Sequence, residues 1–227
     1  MACVRRRYAF LASLAVALAA AAPAQAAGLL HPGDLHETPV GFCTLNFVYD
    51  GGGSTYFGTA AHCVERNGDV ILDADGDRIG QVAFLASADD TETDFAFIRV
   101  DSGRLADVRS SVRGHPSYPT GVTTASQTAR GDQLQISGHG IGFDLTRPTR
   151  EQRRAFLTFD NSELWTAVGP LINGDSGGPI VHIRTGKALG MESRLCIGVC
   201  TDEGPTVEGI LAKAAAAGFP VSLRPAS

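Results

Sequence analysis

The stretch "GDSGGP", residues 174–179, sets one hydroxyl, that of Ser176, among three glycines, a proline and a carboxylate. Gly, Asp, Ser and Pro all favour tight turns, so the six residues alone describe a turn as well as they describe a nucleophile. A serine attacks a carbonyl carbon only with help. It needs a base to take its proton, a group to orient that base, and N–H donors for the developing oxyanion. The chain has six histidines, His31, His36, His62, His115, His139 and His182. His62 stands out because "GTAAHC", residues 58–63, ends a strand-like run and places Cys63 beside the imidazole, where a disulfide would pin the backbone. The third element is "TDFAFIRV", residues 93–100, with Asp94 at the entrance of an alternating apolar strand, a place where a carboxylate can be partly buried while accepting an imidazole N–H. Each motif alone has a plainer meaning: a turn, a half-buried histidine, a loop cap.

Around these motifs the chain reads as an all-β protein. Its 227 residues are 44% hydrophobic and 19% charged, enough to bury a core in one large domain or two small ones. Short runs rich in β-branched and aromatic residues, among them "VGFCTLNFV", "RIGQVAFL", "DFAFIRV", "DQLQISG", "AFLTF" and "GPIVHI", alternate with Gly, Asp, Asn and Ser turns. Many short strands of this kind predict barrels, since closure removes exposed sheet edges. Residues 110–126, "SSVRGHPSYPTGVTTAS", form a candidate seam between two of them. One segment is helical in pattern: "TVEGILAKAAAAGF" puts Val207, Ile210, Leu211 and Ala214 on one face and ends at Gly218.

Residues 1–26 run from an arginine cluster through a short apolar stretch to Ala24-Gln25-Ala26, the pattern of a secretory signal peptide. A retained membrane anchor is the competing expectation, but the run is brief and ends in Pro23. Cleavage removes Arg5, Arg6 and Arg7 and no acid, taking the net charge from −5 to −8, a surface with no reason to seek nucleic acid or anionic lipid. It also leaves Cys43, Cys63, Cys196 and Cys200, an even set suited to an oxidising compartment. Of the three possible pairings, Cys43 with Cys63 and Cys196 with Cys200 are favoured because each closes a local loop. A zinc site is the alternative, with poor ligand spacing.

Taken together, "TAAHC", "DFAFI" and "GDSGGP", in the order His, Asp, Ser, resemble the chymotrypsin-like (trypsin-fold) serine proteases, and bacterial-type secreted members in particular. The resemblance covers residues 38–218 and implies two antiparallel six-stranded Greek-key β-barrels with a C-terminal helix. On that basis residues 27–115 form the N-terminal barrel, carrying His62 and Asp94, and residues 116–227 the C-terminal barrel with Ser176 and the terminal helix. It implies Ser176 as nucleophile, His62 as general base and then acid, Asp94 as its orienting partner, and the N–H groups of Gly174 and Ser176 as the oxyanion hole. The expected activity is that of a secreted serine endopeptidase acting on protein or peptide substrates as a monomer, without cofactor or metal, with proteinaceous protease inhibitors as further partners. A protease-fold binding protein without activity and an esterase are the alternatives. The nucleophile elbow of α/β-hydrolases, Gly-x-Ser-x-Gly, is also matched, but only His182 follows Ser176 and no acid lies between them.

The sequence departs from the family in two places. No Ile-Val-Gly-Gly start exists whose ammonium could pair with Asp175, so that carboxylate needs another cation or other donors, and no propeptide switch is expected. Where trypsin-like members carry an aspartate six residues before the nucleophile, this chain has Pro170, followed by Leu171, Ile172 and Asn173. With Ser193, Arg194 and Leu195 at the opposite wall, the pocket is expected to take an apolar or small P1 side chain, although Glu192 and Arg194 bear on that choice. "DADGD", residues 73–77, reads as a hairpin turn before it reads as a calcium loop, and the basic "TRPTREQRR", residues 146–154, as a solvated loop.

Overall fold

The computed structural model of the chain describes residues 28–139, 151–170, 172–194 and 201–227. In chain order the elements are β1 (Leu35–Thr38), β2 (Gly41–Thr44), β3 (Val48–Gly51), β4 (Ser54–Thr59), β5 (Val70–Asp73), β6 (Arg78–Leu85), β7 (Ala96–Val100), β8 (Gln133–Gly138) and β9 (Glu151–Asp160). They continue with β10 (Leu164–Val168), β11 (Pro179–His182), β12 (Lys187–Met191), β13 (Asp202–Pro205), α1 (Val207–Ala216) and β14 (Ser222–Leu223). The fold is that of the chymotrypsin-like proteins: two antiparallel sheets and one C-terminal helix.

The first sheet runs β14-β3-β4-β7-β6-β5-β1-β2. Only three residues separate β2 from β3, and Asn46 and Phe47 continue the ladder by hydrogen bonds with Gly58 of 2.8 and 3.1 Å. β2 and β3 are thus one bent strand that lies at both ends of the order. Counting it once, and setting aside the appended β14, the sheet closes on itself as six strands. The second sheet runs β12-β11-β8-β9-β10-β13, and isolated bridges Gly190↔Thr206 and Arg194↔Glu203 draw its ends together.

There are two apolar cores, the larger of which also takes in Val181, Ala188 and Met191 of the second sheet and the buried face of α1. Tyr49, Phe57, Phe95, Phe97, Ile71, Ile79 and Ile98 fill the first; Leu134, Ile136, Leu157, Trp165, Ile180 and Leu189 fill the second. In the second, Trp165 is fully buried and its indole N–H donates to the Met191 carbonyl at 3.1 Å, so its one polar group is satisfied. α1 starts at Thr206, whose hydroxyl accepts from the Gly209 N–H at 3.0 Å. Val207, Ile210 and Ala214 are buried, as the apolar spacing predicts, while Leu211 is only partly so. Beyond the helix Phe219 stacks on Phe97, 5.6 Å between ring centres, and β14 pairs with β3, so the C-terminus returns to the first barrel.

Candidate active site

The register of the first barrel brings His62 and Asp94 to one edge. β4 and β7 are antiparallel neighbours with Thr59 opposite Ala96. His62 follows β4 in a single 3-10 turn, Ala61–Cys63, and Asp94 precedes β7 after another, Thr91–Thr93. The imidazole Nδ1–H donates to Asp94 Oδ2 at 2.7 Å, and the His62 backbone N–H donates to Oδ1 at 2.9 Å. Asp94 is buried, whereas the His62 side chain is 41% exposed. The Ser193 hydroxyl also donates to Asp94 Oδ2. Burial works to raise the Asp94 pKa, but the bonds from His62 and Ser193 and the charge of His62 outweigh it, leaving the carboxyl below its ordinary range.

Ser176 lies in the loop between β10 and β11, and that loop is clamped to the first barrel. The Thr44 N–H donates to the Ser176 carbonyl at 2.8 Å, the Thr44 hydroxyl to the Gly174 carbonyl at 2.9 Å, and the Asn46 amide to the Gly177 carbonyl at 3.0 Å. Thr44 follows Cys43, and Cys43 is disulfide-bonded to Cys63, the neighbour of His62. A short path of hydrogen bond, peptide and disulfide therefore fixes the serine loop against the histidine turn. The approach is close enough that a Cβ on Gly177 would sit 2.2 Å from the Thr44 carbonyl oxygen, and its φ of +88° favours glycine as well. Among the described residues no hydrogen bond joins the Ser176 hydroxyl to His62, and neither the Gly174 nor the Ser176 N–H is taken by a backbone carbonyl.

Asp175 finds its cation in Arg153. The guanidinium grips both carboxylate oxygens, at 2.5 and 2.6 Å, and Nη1 donates to the Pro170 carbonyl at 2.8 Å. The Ile172 N–H adds a bond to Asp175 Oδ2 at 2.9 Å. Residues 151–154 thus belong to strand β9 and not to a solvated loop; 146–150 lie outside the described residues. The missed signal is the alternation Arg153, Ala155, Leu157, which puts the arginine on the same inward face as two core residues.

Of the expected pocket residues, Pro170 and Asn173 are exposed, Ile172 half-buried, and Ser193 buried with its hydroxyl on Asp94. Arg194 turns outward to the Asp89 carbonyl at 3.1 Å. Leu171, Leu195 and the Cys196/Cys200 pair lie outside the described residues, as does the signal segment. Cys43, His62 and Cys63 present donor atoms within 4.8 Å of one another, but the two sulfurs are bonded to each other and hold no lone thiolate for a metal. In "DADGD", Asp73 accepts from the Asp75 and Asp77 N–H groups and from Arg104, so its carboxylate closes the β5–β6 turn.

Residues 43–191 match the trypsin-like peptidase domain, and the chain belongs to that family. Its fold is similar to that of a glutamic acid-specific serine protease, with 18% identity and a TM-score of 0.60 over 86% of this chain and 100% of that one. It is likewise similar to protease A of Thermobifida fusca, with 21% identity and a TM-score of 0.59 over 87% and 100%. Cellulomonas bogoriensis chymotrypsin gives 19% identity and a TM-score of 0.57 over 86% and 100%. Against individual curated proteins there is no significant sequence match.

Proposed function

We propose that the protein is a secreted serine endopeptidase that hydrolyses peptide bonds through an acyl-enzyme. The observation that carries this is the His62–Asp94 bond of 2.7 Å, held at the edge where the Ser176 loop is clamped. His62 Nε2 takes the Ser176 proton as the hydroxyl oxygen attacks the scissile carbonyl carbon, and Asp94 holds the Nδ1 proton and stabilises the resulting imidazolium. The Gly174 and Ser176 N–H groups receive the oxyanion; the φ of +102° at Gly174 suits a donor that must turn away from its own turn. The imidazolium then protonates the leaving amine as the C–N bond breaks, and water, deprotonated by the same imidazole, releases the acid. The N-terminal pattern of residues 1–26 and the Cys43–Cys63 disulfide support export to an oxidising compartment.

That no hydrogen bond joins the Ser176 hydroxyl to His62 among the described residues favours one rival, a binding protein on the same fold. Hydrolysis of a fluorogenic peptide library by the signal-cleaved chain, absent in Ser176→Ala, supports the peptidase. No hydrolysis of any peptide or ester by the wild type supports the binder, and ester cleavage alone the esterase.

A further inference from the structure

His36 takes no part in the steps above, yet it lies beneath the site. It sits in β1 opposite Cys43 of β2, the cysteine bonded to Cys63, and opposite Asp73 of β5. The ring is wholly buried; Nε2 shares a hydrogen bond of 2.7 Å with the Thr59 hydroxyl, and among the described residues Nδ1 has no partner. Asp73 is occupied elsewhere, since its oxygens accept from the Asp75 and Asp77 N–H groups and from Arg104. An apolar pair would fill the same space without stranding a nitrogen, so the chain carries a cost here that packing alone does not explain. Burial holds the ring's pKa at about 3, and it therefore stays neutral far into the acid range.

The bonded partner explains the position. Thr59 ends β4, and the next residue, Ala60, opens the turn that carries His62: its carbonyl accepts from the Cys63 N–H at 3.2 Å. Across the ladder Thr59 faces Ala96, two residues after Asp94. Gly177, the residue after Ser176, packs on the same spot, where a Cβ would lie 2.8 Å from the Thr59 hydroxyl oxygen and 3.3 Å from the Ala60 nitrogen. Histidine turn, aspartate strand and serine loop thus meet at the Thr59 side chain.

We propose that His36 is a positioning residue for the hydrolysis: by fixing the Thr59 hydroxyl it sets the spacing between the His62 turn and the Ser176 loop. This rests on the peptidase reading above. A threonine chooses among staggered rotamers that exchange its oxygen and its methyl. The His36 bond selects the one that turns the smaller oxygen toward Gly177, where the backbone already comes too close for a side chain. Without that bond the methyl can take the oxygen's place and push Gly177, and Ser176 with it, away from His62. A shift of about 1 Å at a reacting atom can cost about 100-fold in rate.

The test is the rate at which a fluorophosphonate labels Ser176, with kcat and KM for a cleaved peptide, in His36→Leu, Thr59→Val and the double variant. His36→Gln and Thr59→Ser, which keep a polar group on each side of the bond, are the conservative variants. Ile79→Ala is the control for lost stability: it opens the same barrel's core at the far end of β6 from Leu85, which pairs with Ala96. Expected are labelling at least about 10-fold slower in His36→Leu and in Thr59→Val, with kcat reduced and KM unchanged. The double variant should be no slower than the slower single one, because both remove one bond. Thr59→Ser and His36→Gln should label within about 3-fold of wild type, and Ile79→Ala at the wild-type rate despite a lower melting temperature. Wild-type labelling in Thr59→Val, fully additive losses in the double variant, or equal slowing in Ile79→Ala overturns the proposal and leaves the peptidase standing. A wild-type protein that neither labels nor cleaves any peptide overturns both.

Discussion

Removing Arg153 tests how the serine loop is held. The Asp175 side chain is 1% exposed and that of Arg153 10%, so Arg153→Met leaves a buried carboxylate, still bonded by the Ile172 N–H, without the cation whose Nη2 reached both its oxygens. Breaking a buried pair by deleting one partner costs about 3–5 kcal/mol. That is a large share of the roughly 5–15 kcal/mol that holds a domain together. At roughly 2–4 °C per kcal/mol for a chain of this size, the melting temperature should fall by roughly 6–20 °C. Phosphonylation of Ser176 by a fluorophosphonate should slow as well, since Asp175 is its neighbour and also holds the Ile172 N–H. The double variant Arg153→Met/Asp175→Asn removes the stranded charge and should regain at least half of the lost melting temperature, because replacing both members of a buried pair is far less costly than stranding one. Calorimetry and gel-based labelling read both effects. If Arg153→Met melts within about 2 °C of wild type and labels at the same rate, the reasoning is wrong.

Three further perturbations probe other parts of the site. Gly177→Ala, whose Cβ would meet the Thr44 oxygen at 2.2 Å and the Thr59 hydroxyl at 2.8 Å, should cut the labelling rate at least about 10-fold through a shifted serine loop; wild-type labelling would show that the loop yields freely. Replacing Cys43 and Cys63 together by Ala opens a 20-residue link and should lower stability by about 3 kcal/mol in urea melts; an unchanged midpoint contradicts this. His36 is wholly buried, and burial holds its pKa down at about 3 against 6.5. Between those values the unfolded chain takes up a proton that the folded one refuses. Its contribution is therefore complete above pH 6.5 and is lost on acidification, at up to about 1.4 kcal/mol per pH unit. His36→Gln should flatten that acid limb, and an identical slope in urea melts from pH 6.5 to 4 would refute it.

Much of the fold is legible because half-buried strands write their period into the chain. "DFAFIRV" and "DQLQISG" become β7 and β8 with little ambiguity. What escapes is long-range. β14 is two residues long, and nothing near Ser222 says that it will pair with Asp50. The bend that makes β2 and β3 one strand depends on Gly58 across the barrel, not on a local turn signal. In the site, the motifs single out His62 and Asp94, whose side chains meet, and Ser176, whose loop is held by Thr44 and Asn46, residues no motif marks. The Arg153–Asp175 pair and the Ser193–Asp94 bond join residues 22 and 99 positions apart, and only the register of packed strands brings them together. Charge misleads here: a run of arginines reads as solvated, yet the strand period turns one of them inward.

The central claim is that Ser176 is made nucleophilic by His62. Mass spectrometry of the wild-type protein after fluorophosphonate treatment, with the rate followed for His62→Ala and Ser176→Ala, tests it most directly. A single adduct on the peptide bearing Ser176, absent in Ser176→Ala and formed at least about 100-fold more slowly in His62→Ala, is the predicted result. An adduct on another residue, no adduct, or a His62→Ala rate equal to wild type would contradict it.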